Sequence, residues 1–158
     1  MNNFAKLDFN AAVNKYSDTI IRIAFQYTKN RADAEDIMQD VFFSLIKQPP
    51  FSSEEHLKAW IIRVTINKSR NYYKASKKRQ FVSLESVSNS LTAHQTEKLS
   101  EVMELPEDDR NIIYLFYYEG YKAKEIAKIL DKKEKAVLMR LGRAREKLKY
   151  LLEVQYEN

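Results

Sequence analysis

Arg63, Asn67, Arg70 and Lys74 follow one another at spacings of four, three and four residues. At about 100° per residue on a helix, such a spacing gathers all four side chains into one narrow stripe. Three like charges on one face repel each other, so their natural counterpart is an anion outside the chain. Asn71, Tyr72 and Tyr73 sit at the same end, and Lys77, Lys78 and Arg79 follow. Cations beside aromatic rings suit unpaired nucleic acid, because phosphates take the charge and splayed bases take the stacking. The plain alternative is a solvated basic face on an ordinary core helix. The stripe by itself does not separate the two.

The stripe needs a helix beneath it, and Leu57, Trp60, Ile61 and Val64 are expected to be that helix's core side. Trp60 is read as core rather than as a platform for bases. A first helix is predicted from about Asn10 to Lys29, with Val13, Tyr16, Ile20, Ile23, Ala24 and Tyr27 as its apolar stripe. Asn30-Arg31 breaks it. A second helix is predicted from Ala32 or Asp33 to Lys47, ended by Pro49-Pro50. Ala34, Ile37, Met38, Val41 and Leu45 are its buried side. Its opposite face carries Asp33, Asp36, Gln39 and Asp40, with Phe43 among them. A large aromatic amid acids is out of place on a surface that meets only water, and the combination describes a docking face for a basic protein partner. The alternative is that Phe43 packs under a loop from elsewhere.

From Gln80 to about Ala93 the chain is Ser-rich and lacks a sustained period, which reads as a flexible linker. A short helix holding Leu99, Val102 and Met103 is expected next. Leu105-Pro106-Glu107-Asp108-Asp109 is a start signal, with Pro suited to the first helical position and acids favoured by the helix dipole. Ile112, Ile113, Leu115, Phe116 and Tyr117 follow, and Gly120 ends that helix as a left-handed cap. A short helix from Lys122 to Leu130, a turn at Asp131-Lys132-Lys133 and a long helix from Glu134 to Glu153 then have the layout of a helix-turn-helix. Val137, Leu141, Ala144, Leu148 and Leu151 are expected inside. Lys135, Met139, Gly142, Arg143 and Glu146 are expected outside, with Leu138, Arg140, Arg145 and Lys147 on the flanks. An ordinary helical hairpin with a charged back has the same spacing.

Composition narrows the classes. Two Gly and three Pro in 158 residues leave few tight turns, so the expected fold is all-α. There is no Cys, hence no disulfide framework, thiolate metal site or cysteine nucleophile. The histidines, His56 and His94, lie far apart, and there is no glycine-rich phosphate loop or nucleophile elbow. The expectation is a protein that is not an enzyme and takes no cofactor, metal or small-molecule substrate. The N-terminus lacks the layout of a signal peptide and no apolar run suits a bilayer, so a cytoplasmic protein rather than an integral membrane one is expected. Residues 1–79 hold 14 Lys/Arg against 8 Asp/Glu, residues 80–104 hold 1 against 4, and residues 105–158 hold 12 against 10. Two basic blocks joined by an acidic stretch suggest two modules that each meet an anion.

Taken in order, these segments resemble the sigma factors of bacterial RNA polymerase, specifically the compact extracytoplasmic-function class. Asp33-Ala-Glu-Asp-Ile-Met-Gln-Asp-Val-Phe-Phe resembles part of that family's region two, and Leu57 to Tyr72 resembles its promoter-melting helix. Leu105-Pro-Glu-Asp-Asp-Arg, Tyr121-Lys-Ala-Lys-Glu-Ile-Ala-Lys-Ile-Leu and Arg140-Leu-Gly-Arg-Ala-Arg-Glu-Lys-Leu resemble region four. The resemblance implies two small helical domains, a region-two bundle over 1–79 and a region-four helix-turn-helix over 99–158, joined by a linker over 80–98. It implies that Asp36, Gln39 and Asp40, with Phe43, dock on the clamp helices of the polymerase's largest subunit. Arg63, Asn67, Arg70 and Asn71, with Tyr73 and Lys74, would hold the melted minus-ten strand, Asn67 standing near a flipped base. Arg140 and Arg143, with Lys135, Leu138 and Met139, would meet the minus-thirty-five element. An anti-sigma partner is implied as well. The chain departs from the family pattern at Asp131-Lys132-Lys133, where Gly, an apolar residue and Pro or Ser are usual. It departs again at Leu138, Met139 and Gly142, where a basic residue, Ser and a larger side chain are common.

Overall fold

The computed structural model describes residues 8–82 and 105–156, with side chains over 8–76 and 105–150. The expected helix at Leu99, Val102 and Met103, the linker beyond Val82, His94 and the side chains of Lys77, Lys78, Arg79 and Leu151 lie outside the described residues. Every described element is helical, and the chain divides into two compact units, Met1–Leu84 and Glu85–Asn158.

The first unit is built from α1 (Phe9–Thr28), α2 (Arg31–Ile46) and α3 (Glu54–Val82). Short polar side chains set the starts of these helices. Asp8 accepts from the Ala11 N–H at 3.3 Å, Asn30 from the Asp33 N–H at 3.2 Å and Ser53 from the His56 N–H at 3.1 Å. Lys29 turns the chain between α1 and α2 in the left-handed region, φ 53°, its N–H bonded to the Phe25 carbonyl at 2.9 Å. Asn30 is therefore the cap of α2 as well as the break after α1. His56 is a helix-end residue, bonded to Ser52 at 3.1 Å and edge-on to Phe51.

Tyr16, Ile20 and Ala24 of α1, Ile37, Val41, Phe42 and Leu45 of α2, and Leu57 and Ile61 of α3 form one apolar cluster. Most of the expected stripes of α1 and α2 is in it or against it, and Ile23 and Tyr27 of α1 are buried as well. The core side of α3 differs from expectation. Its buried residues are Leu57, Ile61, Ile62, Thr65, Ile66 and Ser69, while Trp60 and Val64 are only half-buried at the edge. α3 packs against both α1 and α2, so the covered face is wider than one stripe, and Trp60 and Val64 pack against the cluster at its margin. Thr65 fits there because its hydroxyl donates to the Ile61 carbonyl at 2.7 Å. The helix also runs three residues past Arg79.

The second unit contains α4 (Glu107–Ile113), a π-helical turn (Tyr114–Tyr118), α5 (Ala123–Leu130) and α6 (Glu134–Tyr156). Pro106 is the cap rather than the first residue of α4, followed by Glu107, Asp108 and Asp109 in the first turn. Gly120, φ 74°, ends this stretch as expected. Asp131 ends α5 in the left-handed region, φ 53°, and the Lys132 N–H reaches back to the Ala127 carbonyl at 2.8 Å. Asp131 thus takes the conformation that glycine usually supplies at a helix end. Ile112, Leu115, Ile126, Val137, Leu141 and Ala144 are buried, whereas Tyr117 is exposed.

Candidate functional site

On α3, Arg63, Asn67, Asn71 and Lys74 are exposed and Arg70 is half-buried. They lie opposite the face formed by Thr65, Ser69 and Ile62, which fixes the helix against α1 and α2 and so fixes the direction of the stripe. The two tyrosines are not equivalent. Tyr72 donates its hydroxyl to Asp33 and packs against the core cluster. Tyr73 is half-buried, edge-on to Tyr27 with ring centroids 6.4 Å apart. The site is thus a row of cations and amides with one aromatic edge, mounted on a rigid helix.

On α2, Asp36, Gln39 and Asp40 are exposed, and Phe43 is 64 % exposed. No described loop covers Phe43. Ile46 is 62 % exposed, three residues on and on the same side, and the sequence reading passed over it. Its signal was the spacing from Phe43 at the end of an already apolar helix. Asp33, counted with the acidic face, is half-buried and engaged by Tyr72 instead. Two exposed apolar side chains beside three polar ones form a surface that gains about 1.5–3 kcal/mol for each apolar group a partner covers.

On α6, Lys135 and Arg143 are exposed, Leu138 is 50 % exposed and Met139 57 % exposed. A side chain added at Gly142 would meet nothing within 4 Å, so that position opens outward too. Arg140 stands apart from them. Its Nη1 donates to Asp109 Oδ1 of α4 at 3.1 Å, and both side chains are largely covered. Lys132 in the turn lies 3.9 Å from Asp108, so the acidic start of α4 holds the turn and α6 together. Arg145 lies over the rings of Phe116 and Tyr117 and donates to the Tyr117 hydroxyl, at 2.5 Å, an association the sequence reading did not anticipate. Among the described residues no cluster of His, Cys, Asp or Glu is arranged to hold a metal, and no helix is long and apolar enough to cross a membrane.

Two family models match this chain, Sigma-70 region 2 over residues 12–79 and Sigma-70 region 4 over residues 99–148. The chain belongs to the sigma-70 family. The region 2 match contains the α2 face and the α3 stripe, and the region 4 match contains α4, α5 and the part of α6 that carries Lys135 to Arg143. Its relatives include the RNA polymerase sigma factor SigV of Bacillus subtilis (strain 168), 28% identical over 84% of this chain and 83% of that one. The ECF RNA polymerase sigma-E factor of Escherichia coli (strain K12) is 27% identical over 87% of this chain and 83% of that one. Among solved structures, CnrH in complex with the cytosolic domain of CnrY superposes with TM-score 0.67 at 27% identity, covering 92% of this chain and 88% of that one. The sigma factor RpoE of Bartonella quintana, in complex with the anti-sigma factor NepR, shares the fold at TM-score 0.69 and 24% identity, covering 93% and 98%. The chain is an extracytoplasmic-function sigma factor, and its family is one of transcription initiation factors.

Proposed function

We propose that this sigma factor docks on core RNA polymerase through Asp36, Gln39, Asp40 and Phe43 and holds the melted minus-ten strand with Arg63, Asn67, Arg70, Asn71, Tyr73 and Lys74. The helix-turn-helix meets duplex DNA at the minus-thirty-five element through Lys135, Leu138, Met139 and Arg143, with Arg140 beside them. The domains are 1–79 and 99–158, with 80–98 between them. One observation carries the reading: the acidic and apolar face of α2 and the cationic stripe of α3 belong to one packed unit, tied by the Tyr72–Asp33 bond. A polymerase that grips α2 thereby sets the orientation of the α3 stripe. Phosphates neutralise Arg63, Arg70 and Lys74, and the amides of Asn67 and Asn71 offer donors and acceptors to an extruded base, offsetting an unstacking cost of a few kcal/mol.

In this role the protein works in the cytoplasm, carries no cofactor and performs no covalent chemistry. It is a specificity subunit whose binding energy is spent on opening DNA. Its outward faces are also what an anti-sigma partner would cover, and the structural relative CnrH was solved in complex with the cytosolic domain of CnrY. The deciding experiment combines the full chain with core polymerase on genomic promoter fragments, reading transcript starts and permanganate reactivity of unpaired thymines. Promoter-dependent transcripts with an open minus-ten region are expected. A chain that never joins core enzyme, or joins it and opens nothing, overturns the proposal.

A further inference from the structure

The first three turns of α6 present Lys135, Leu138, Met139 and Gly142 outward, at positions i, i+3, i+4 and i+7 of one face. That face is unusual for an element that meets DNA. Its centre is an exposed apolar pair, and the next position has no side chain at all. Arg140 is directed elsewhere, to Asp109 at 3.1 Å, with its side chain 33 % exposed. Arg143 is on the far edge, and Lys135 stands at the start of the helix. Leu has no hydrogen-bonding group, and the Met thioether is only a weak acceptor. The major-groove feature they can contact is the C5-methyl group of thymine. Gly142 lets the helix backbone come close enough for short apolar side chains to reach it.

We propose that this helix reads thymine methyl groups through Leu138 and Met139, and that Arg140 is a positioning residue for α6 rather than a reader of bases. The inference rests on the sigma-factor reading above and specifies its minus-thirty-five contact. Lys135 and Arg143 flank the apolar pair and take phosphates, which sets the register without setting the sequence. Asp109 holds Arg140, and Asp108 holds Lys132, so the acidic start of α4 fixes the angle at which the apolar pair is offered.

The test uses the full chain with core polymerase and a promoter library randomised upstream of a fixed minus-ten element. Selected promoters are expected to carry thymines at adjacent positions of one strand in the minus-thirty-five region. Replacing those thymines singly by uracil removes only the methyl group, and about a three- to five-fold loss of binding per site is expected, the size set by covering one methyl. Leu138→Ala and Met139→Ala should each erase the thymine–uracil difference at one site. Arg140→Gln should weaken all promoters alike and leave their ranking intact, and Asp109→Asn should do the same. Selection of guanine that is lost in Arg140→Gln but kept in Asp109→Asn overturns the proposal, as does equal binding of thymine and uracil promoters. A library that yields no promoter-dependent transcript overturns the sigma-factor reading and this inference with it. Transcripts indifferent to uracil remove this inference alone.

Discussion

Tyr16 is 3 % exposed, and its hydroxyl donates to Glu54 Oε1 at 3.1 Å, the same oxygen that pairs with Lys15. Burial raises its pKa above the ordinary value of 10.0. The native state therefore keeps the phenolic proton longer than the unfolded chain does. That contribution to stability is complete below the unfolded value and is lost as pH rises through the folded one. Tyr16→Phe is expected to cost about 0.5–1.5 kcal/mol at neutral pH and to flatten the fall in stability above roughly pH 10. Denaturant titrations followed by Trp60, the chain's one tryptophan, check it within the first unit. Lys29 and Asp131 both stand in the left-handed region where a Cβ is disfavoured. Lys29→Gly should stabilise the first unit by about 0.5–1 kcal/mol, read by the same fluorescence. Asp131→Gly should do the same for the second, read by hydrogen exchange of the α5 and α6 amides, with a smaller gain because Asp tolerates this conformation better than Lys.

At the level of elements, α2 is two-faced for a reason that needs both of its neighbours. Ile37, Val41, Phe42 and Leu45 are taken by α1 and α3, which leaves Phe43 and Ile46 with nothing to cover them in the described structure. Phe43→Ala and Ile46→Ala should each weaken association with core polymerase by about 10- to 100-fold, the range expected of an apolar anchor at an interface centre. Their circular dichroism should stay unchanged, because neither side chain supports the core. A fluorescence-anisotropy titration with core enzyme reads the first effect. Asp8 and Ser53 were not singled out as caps, whereas the break at Asn30 and the left-handed stop at Gly120 were legible, because both act through neighbours in sequence. The π-helical turn at Tyr114–Tyr118 was not, since no residue type there announces an extra residue per turn.

Over the whole molecule, the α3 stripe and the exposed cations of α6 are borne by two separate units, and in the proposed role each adds its own electrostatic attraction for DNA. Binding of the polymerase complex to promoter DNA should fall linearly with the logarithm of salt concentration. Lys74→Ala should reduce that slope by about 0.7 if its phosphate belongs to a single strand, and Arg143→Ala by about 0.9 for its contact with duplex. Changing Arg63, Asn67 and Arg70 together to Ala should leave core binding in place and abolish permanganate reactivity at the minus-ten region. Unchanged opening in that variant would refute the role of the α3 stripe.

Helix content, the outward order of Arg63, Asn67 and Lys74, the acidic face around Phe43 and the two-module plan could all be read from spacing and composition, because each depends on residues within a few turns of one another. Other features depended on partners far along the chain. Tyr72 finds Asp33 across 39 residues, and Arg140 finds Asp109 across 31. The burial of Thr65 and Ser69 instead of Trp60 follows from where α1 and α2 lie against α3. A helical wheel shows which side chains share a side. Which side is covered, and which cation is already held, is settled only when the helices pack, because burial and ion pairing are properties of the assembled surface.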